Sequence, residues 1–467
     1  MSIEIRETDW HCEEAAVLRR AMDAELRPRY LDLLHDAPPP TPVDTAHVLF
    51  TLVAFDGDEA VATTSLKNTD GFFEVKRVFV AATHRRQNLG ARLLAAVEQR
   101  ALALGITELV LQTGSRQPEA IALYEREGWV QIAPFGPYAG DAVISRCFAK
   151  PIAPLFVAVE LPALGEPQTV VRDALGALRQ FAAAGIDLAI IADDLRAAPD
   201  GLARVDAPTL AAFAAPAVPQ IGLAATISTT HTEPFHLSKV VQTLDHVSRG
   251  RAAWQVAVST SAEEAAQFGR RPAPDAAEAW AEAEEAIEVA ERLWDSWEDD
   301  AEIRDRATGR FIDRDRVHHI DFEGRFFAVK GPSIVPRSPQ GRPPIIVSVA
   351  GPESLDVAAR RADIVRVAAH RVAEVRAAVE AAGRTGLVTV LVDVPASSAV
   401  SDTLATLRHD TGADGAVLVF DRIPHAAGFA AALIPFVRRD PAATLRGRLG
   451  LARPASRYVR TLEGALK

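Results

Sequence analysis

Directly ahead of a helical pattern, the chain carries a basic turn ending in glycine, Arg85-Arg86-Gln87-Asn88-Leu89-Gly90. Such a turn directs several backbone N–H groups and the positive end of a helix dipole at one point, which suits a pyrophosphate. Arg85 and Arg86 add two cations there, and their place in the turn favours phosphate contact over a merely solvated pair. Downstream, Tyr124 in PEAIALYEREGW sits on a second helical pattern just after a strand, where a phenol can protonate a leaving group. Glu74, on the strand before the turn, is a candidate base, directly or through water. Each also has a plainer reading: Tyr124 as a tyrosine at the rim of a core, Glu74 as an ordinary strand carboxylate.

The elements that must position these residues alternate in kind. FFEVKRVFV and ITELVLQTG are β-rich apolar runs, while ATHRRQNLGARLLAAVEQRALALG and PEAIALYEREGW have helical spacing with charged faces. Four such blocks in this order resemble the acetyl-CoA core of the GNAT superfamily of N-acetyltransferases. The family signature after the first strand is R/Q-x-x-G-x-G/A. Arg85 takes its first position, Gly90 its last, and Asn88 stands where the first glycine is usual. Asparagine tolerates the left-handed conformation better than most residues, so the turn survives the change.

The resemblance covers nearly all of residues 1–150, through a closing hairpin from Phe135-Gly136-Pro137-Tyr138 to Cys147-Phe148. It implies a mixed sheet, partly splayed to admit the pantetheine arm of acetyl-CoA along Val78 and Val80. It further implies phosphate contacts from Arg85, Arg86, Gln87, Asn88, Leu89, Gly90 and Ala91, a cofactor contact from Gln117, Tyr124 as general acid, and a small-molecule amine as acceptor. Protein lysines or N-termini, and a non-enzymatic acetyl-CoA sensor, are the alternatives.

At 467 residues the chain is long enough for two or three domains, and 48% hydrophobic with 24% charged residues is ordinary for a globular protein. A formal net charge of −11 argues against nucleic acid or an anionic membrane as partner. Cys12 and Cys147 supply neither a disulfide framework nor a metal spacing. The start of the chain lacks a secretory pattern and no apolar run suits a bilayer span, so a cytoplasmic protein is expected.

A short stiff link, Lys150-Pro151-Ile152-Ala153-Pro154, precedes a new rhythm, and residues 151–467 are expected to form a second domain. LFVAVEL, IDLAIIA, IGLAATIS, AAWQVAVS, PPIIVSVA, DIVRVAA, LVTVLVDV and GAVLVF are near-continuous apolar runs, most followed by a helical segment. That pattern predicts a parallel sheet closed as a (β/α)₈ TIM-type barrel. A helix over about Asp275–Trp297 and a charged insert interrupt it, and inserts there usually shape a pocket. His318 and His319 in the insert are adjacent and without further ligands at metal spacing, so pairing with local acids is the better reading.

The stretches from IGLAATISTTH to AAWQVAVS, RLWDSWEDDA and GPSIVPRSPQGRPP resemble the bacterial luciferase-like flavin monooxygenases, in the nitrilotriacetate monooxygenase branch. The resemblance implies reduced FMN delivered by a separate flavin reductase, an organic substrate, and Asp193 and Thr226 lining the flavin site. It also allows a homodimer. Four positions depart from that branch. Ala276 and Trp280 replace a His/Tyr pair, Gln255 an asparagine and Val258 a threonine, while the phosphate turn reads Ser348-Val349-Ala350-Gly351-Pro352-Glu353. Proline removes a donor and Glu353 adds negative charge. The barrel is therefore either a monooxygenase that grips its flavin differently or a scaffold that has lost it. A basic tail, Arg446–Lys467, is expected to be irregular or to contact a partner.

Overall fold

The computed structural model describes residues 3–30, 32, 45–140, 143–397, 399–423, 426–437 and 443–458. The chain divides into two compact units, Met1–Pro154 with Ser401–Asp410, and Leu155–Val400 with Thr411–Lys467.

The first unit is built on a seven-stranded sheet in the order β1-β2-β3-β4-β5-β7-β6. Its strands are β1 (Glu4–Thr8), β2 (Val48–Asp56), β3 (Glu59–Thr69), β4 (Phe72–Val80), β5 (Glu108–Gly114), β6 (Val130–Ile132) and β7 (Ser145–Pro151). Among the described residues, α1 (Glu13–Leu26), α2 (Leu89–Ala103) and α3 (Pro118–Arg126) pack against it. In α2, Leu89, Leu93, Leu94, Val97 and Ala101 recur at helical spacing and form one buried stripe. That stripe packs with Leu66, Val75, Leu111, Tyr124, Trp129 and Phe148 into the main core. A smaller cluster, Ala15 and Leu18 against Val53 and Phe55, attaches α1.

β4 and β5 are parallel and pair only at Glu74↔Val110 and Val75↔Leu111. Beyond them the register of β3 against β4 slips between Thr63 and Ser65, and Arg77 adopts φ +59°. An extra residue of this kind bends its strand and raises the local twist. The bulge thus turns the end of β4 away from β5, giving the splayed gap expected from sequence.

In the second unit eight parallel strands close into a barrel. They are β8 (Phe156–Pro162), β9 (Leu188–Ala192), β10 (Gly222–Ser228), β11 (Ala252–Ala257), β12 (Ile345–Ser348), β13 (Ile364–Val367), β14 (Thr389–Pro395) and β15 (Gly415–Val419). Each of the eight apolar runs became a strand. The interior is filled by Phe156, Ala158, Leu188, Ile190, Ala224, Ala253, Ile346, Ile364, Leu391 and Val417.

The barrel helices begin with α4 (Val170–Ala184), α5 (Ala207–Ala214), α6 (Pro234–Ser248), α7 (Ala262–Phe268) and α8 (Ala276–Asp295). They continue with α9 (Pro352–Arg361) and α10 (Val372–Ala381). The insert after α8 forms two small hairpins, Glu302–Asp305 with Arg310–Ile312 and Phe322–Glu323 with Ala328–Val329.

The tail differs from expectation at its start. Leu445–Arg448 is helical, and Leu445 seals the amino-terminal end of the barrel next to Leu188 and Gly222. An open barrel bottom exposes apolar strand ends, and one leucine covers them. Arg446 pairs with Asp363 at 3.1 Å and the Arg448 guanidinium donates to the Asp187 carbonyl at 2.9 Å. Residues 459–467 of the tail lie outside the described residues.

Candidate active sites

The turn between β4 and α2 places Asn88 at φ +60°, ψ +17°, in the left-handed region, as α2's N-cap. Arg86 also has positive φ, +64°. No side chain caps this helix, so the N–H groups of its first turn, from Leu89 through Ala91, are unclaimed by a cap. Arg85 is held in place: its Nε donates to the Val80 carbonyl at 3.0 Å and its Nη2 pairs with Glu25 at 2.5 Å. Arg86, Gln87 and Asn88 are exposed, whereas Leu89 and Ala91 are buried. Gly90 lies against Leu123 of α3, where a Cβ would approach to 2.9 Å.

The Ala81 N–H donates to the Val61 carbonyl of β3 and Phe79 pairs with Thr63, so the peptide groups of Val78 and Val80 alternate toward the β5 side, where the Val80 carbonyl accepts from Arg85. On the far lip, Gly114 ends β5 where Tyr30 packs so closely that a Cβ would collide with its hydroxyl. Gln117, the N-cap of α3, donates from Nε2 to the Tyr30 hydroxyl at 3.4 Å, and the Arg116 N–H does so at 3.1 Å.

Tyr124 is buried, with ring centroids 6.2 Å from Trp129 and 5.8 Å from Phe148. Burial pushes its phenol well above the usual range, so it keeps its proton at neutral pH. Glu74 is completely buried. It accepts from the Tyr138 hydroxyl at 2.9 Å and from Thr69 Oγ1 at 3.1 Å, and it pairs with Lys76 Nζ at 2.8 Å. Lys76 also donates to the Tyr138 hydroxyl. Burial and the Glu74 carboxylate both push the Tyr138 phenol up.

Neighbouring residues on a strand face opposite ways, and Val75 belongs to the core that holds Tyr124. Glu74 and Tyr124 therefore stand on opposite faces of the sheet, with the gap between β4 and β5 beside them. Lys76 and Tyr138 are the partners that sequence reading missed. A lysine two residues from Glu74 was the available signal, whereas Tyr138 is 64 residues away.

In the barrel, the residue two beyond a core position on six strands is polar: Glu160 after Ala158, Thr226 after Ala224, Gln255 after Ala253, Ser348 after Ile346, Arg366 after Ile364 and Asp393 after Leu391. With a side-chain period of two, all six face inward, one layer nearer the carboxyl ends. Arg366 is buried between Glu160 and Asp393, with its Nε 2.9 Å from Asp393 and its Nη1 2.6 Å from Gln255 Oε1. Gln255 Nε2 lies 3.4 Å from both Glu160 and Thr226 Oγ1. Burial raises the Asp393 carboxyl above its ordinary value against the pull of Arg366. Glu160, Arg366 and Asp393 were not foreseen, although each is a charge inside an apolar run.

Asp193 stands just past β9. Burial pushes its carboxyl up to about 6, although the Ala207 N–H donates to it at 3.1 Å and Arg204 lies 3.8 Å away. Asp193 Oδ1, His231 Nε2 and Ser259 Oγ are buried without a hydrogen-bond partner, just beyond the ends of β9, β10 and β11. Orphaned polar atoms converging on a barrel mouth fit a polar ligand there.

The turn after β12 is different. Ser354 Oγ accepts from the Ala350 and Gly351 N–H groups, each at 3.0 Å, and donates to the Gly351 carbonyl at 2.9 Å. Glu353 folds back to within 3.1 Å of where a Gly351 Cβ would stand. Ala276 is exposed on the first turn of α8 and Trp280 is partly buried one turn on. The Ala350 and Gly351 N–H groups are thus already taken by Ser354.

His318 pairs with Glu298 at 2.7 Å and His319 Nδ1 meets the Gly331 carbonyl at 2.8 Å. Among the described residues, no group of three or more His, Cys, Asp or Glu side chains suits a metal, and no helix is long and apolar enough to cross a membrane.

A splayed sheet with an uncapped helix turn and a closed parallel barrel with a polar mouth define an acyltransferase-type domain and a TIM-type enzyme barrel. The luciferase-like monooxygenase profile matches residues 155–446, and the GNAT acetyltransferase profile matches residues 4–129. The chain belongs to the luciferase-like monooxygenase family and carries an N-terminal GNAT domain. Members of the first family are flavin-dependent, and GNAT domains use acetyl-CoA.

The chain is 38% identical over 184 residues to N-acetyl-S-(2-succino)cysteine monooxygenase of Bacillus subtilis, 38% of this chain and 42% of that one. It is 39% identical over 169 residues to nitrilotriacetate monooxygenase component A of Aminobacter aminovorans, 36% of this chain and 37% of that one. The match thus spans about two-fifths of the length of these relatives. An IAA acetyltransferase of Azospirillum brasilense is 44% identical over 82 residues, 18% of this chain and 53% of that one. The solved EDTA monooxygenase of Chelativorans sp. BNC1 shares the fold, with a TM-score of 0.55 at 22% identity over 64% of this chain and 99% of that one.

Proposed function

We propose that this chain N-acetylates a small organic amine from acetyl-CoA and that its barrel oxygenates an organic substrate with reduced FMN supplied by a separate reductase. The observation that carries the first half is the gap between β4 and β5, bordered by the peptide groups of Val78 and Val80 and continued by the uncapped start of α2. The N–H groups of Leu89 to Ala91, with Arg86 beside them, would hold the pyrophosphate, and the edge of β4 would hold the thioester arm. Tyr124, still protonated at neutral pH, donates to the departing thiolate. The amine loses its proton on the opposite face. Glu74 already holds Lys76, Tyr138 and Thr69, so the proton reaches it through a side chain of that cluster or through water.

For the second half, Asp193, Thr226, Gln255 and the orphaned groups of His231 and Ser259 would hold the flavin ring, and FMN supplies the activation of O₂ when bound. The phosphate would be gripped away from Ala350 and Gly351, because Ser354 already takes both of their N–H groups. The barrel's own contribution is to orient the ligand and exclude water, with Arg366 fixing the Glu160 and Asp393 carboxylates below it.

One related monooxygenase is named for an N-acetylated substrate. Acetyl transfer and oxygenation on one chain then read as consecutive steps on one molecule. The test is the purified chain with S-alkyl cysteines and their N-acetyl forms. CoA release is followed with the free amines. O₂ uptake is followed with FMN, NADH and a flavin reductase. CoA release from the free amine and O₂ uptake only with the N-acetyl form support consecutive steps; O₂ uptake with the free amine alone overturns that order.

A further inference from the structure

The first unit holds a second feature that the transfer chemistry does not use. Trp10, Ala16, Arg19, Arg20, Asp23 and Arg77 line a cleft of about 290 Å³. Ala16, Arg19, Arg20 and Asp23 are spaced three and four apart, so one face of α1 forms its wall. Arg77, the bulged residue of β4, forms its floor, one residue before Val78 at the gap.

The charge here runs against the chain as a whole. Three guanidiniums face one carboxylate in a protein of formal net charge −11. Asp23 is taken by Arg77, and Arg20 pairs outside the cleft lining with Glu13 at 2.7 Å. Arg19 is fixed in another way. Its guanidinium stacks 4.0 Å over the Trp10 ring and its Nη2 donates to the Trp10 carbonyl at 2.7 Å. Its Nη1 is buried without a partner, and among the described residues no carboxylate hydrogen-bonds it. Burial, with the nearby charges of Arg77 and Arg20, lowers its pKa. Like charges held this close are relieved when an anion enters between them.

We propose that this cleft receives a carboxylate of the acceptor, so that the amine acetylated is an anionic one, of the amino-acid or carboxyalkyl amino-acid class. The proposal rests on the acetyl-transfer reading. A planar fork fixed on an aromatic ring matches a carboxylate, and Arg77, which lines the same cleft, is the residue before Val78 at the gap's edge. The proposal places the acceptor between this cleft and the thioester.

The test is calorimetric titration of the full chain, with CoA present, using S-carboxymethyl-L-cysteine and its dimethyl ester. Acetylation of both is followed by CoA release. The wild-type protein is expected to bind the diacid at least tenfold more tightly than the diester. Arg19→Gln is expected to remove that preference while leaving CoA affinity within twofold. Should Arg19→Gln fail to fold, as judged by its melting curve, Arg20→Gln is expected to weaken diacid binding at least threefold. Equal binding of diacid and diester overturns the proposal, as does loss of CoA affinity in Arg19→Gln, which assigns the guanidiniums to cofactor phosphates. An unaltered preference in every folded variant overturns it as well. Diacid binding without acetylation of any amine upholds the cleft and refutes acetyl transfer. Acetylation indifferent to acceptor charge does the reverse.

Discussion

Two strand-to-helix turns, one in each unit, look alike in sequence and differ in what they leave free. Both hold a glycine and lead into a helix whose first N–H groups have no partner within the helix. Before α2, Asn88 takes the left-handed conformation and no side chain caps the helix. Before α9, Ser354 reaches back and accepts from both Ala350 and Gly351. An anion site depends on donors that the protein has not already satisfied. At the first turn no side chain claims the helix-start N–H groups; at the second, Ser354 claims those of Ala350 and Gly351 just ahead of the helix.

The largest expected effect comes from the group that the open turn serves. Tyr124→Phe should lower kcat about 100-fold, the scale of a lost general acid, with the KM for acetyl-CoA unchanged. Steady-state CoA release measures it, and unaltered turnover removes Tyr124 from the mechanism. Next is the turn itself. Asn88→Val puts a β-branched residue at positive φ and should raise the KM for acetyl-CoA about tenfold, while Asn88→Gly stays near wild type. If both variants bind acetyl-CoA normally, the open turn is not the phosphate site and the contrast collapses.

Ser354→Ala probes the other side. Losing a helix-start hydroxyl should cost about 1 kcal/mol of barrel stability in denaturant unfolding. Sulfate should then stabilise the variant more than it stabilises the wild type. A wild-type barrel already stabilised by sulfate, and less so in the variant, would reverse the comparison.

The smallest effect is in pH dependence. Native Asp193 keeps its proton up to about 6, whereas an unfolded aspartate loses it near 3.9. Between those values the native state binds more protons, so this group makes stability fall as pH rises through that window. Asp193→Asn should flatten that part of a melting-temperature profile. A profile identical to wild type would place the carboxyl in water.

Much of the architecture was legible because it rests on local pattern. Eight apolar runs separated by helices can bury both faces only in a parallel sheet, and Asn88 was readable because few residues other than glycine accept its backbone angles. Arg85 was also legible as part of the turn, but its clamp on Val80 and Glu25 was not, since Glu25 lies 60 residues away. The same holds for Glu74. The sequence marks a carboxylate on a strand, and folding surrounds it with Lys76, Tyr138 and Thr69.

By itself the sequence determined the two folds, the order of their elements and the left-handed turn, because periodicity and backbone preference act over a few residues. Only the tertiary structure decided which groups remain available to a ligand. Ser354 takes two donors of its own turn, Arg366 meets Glu160 from 206 residues away in sequence, and Arg77 meets α1 through a bulge. Hydrogen-bond capacity is a finite property of assembled neighbours, and strands and helices distant in the chain decide how it is spent.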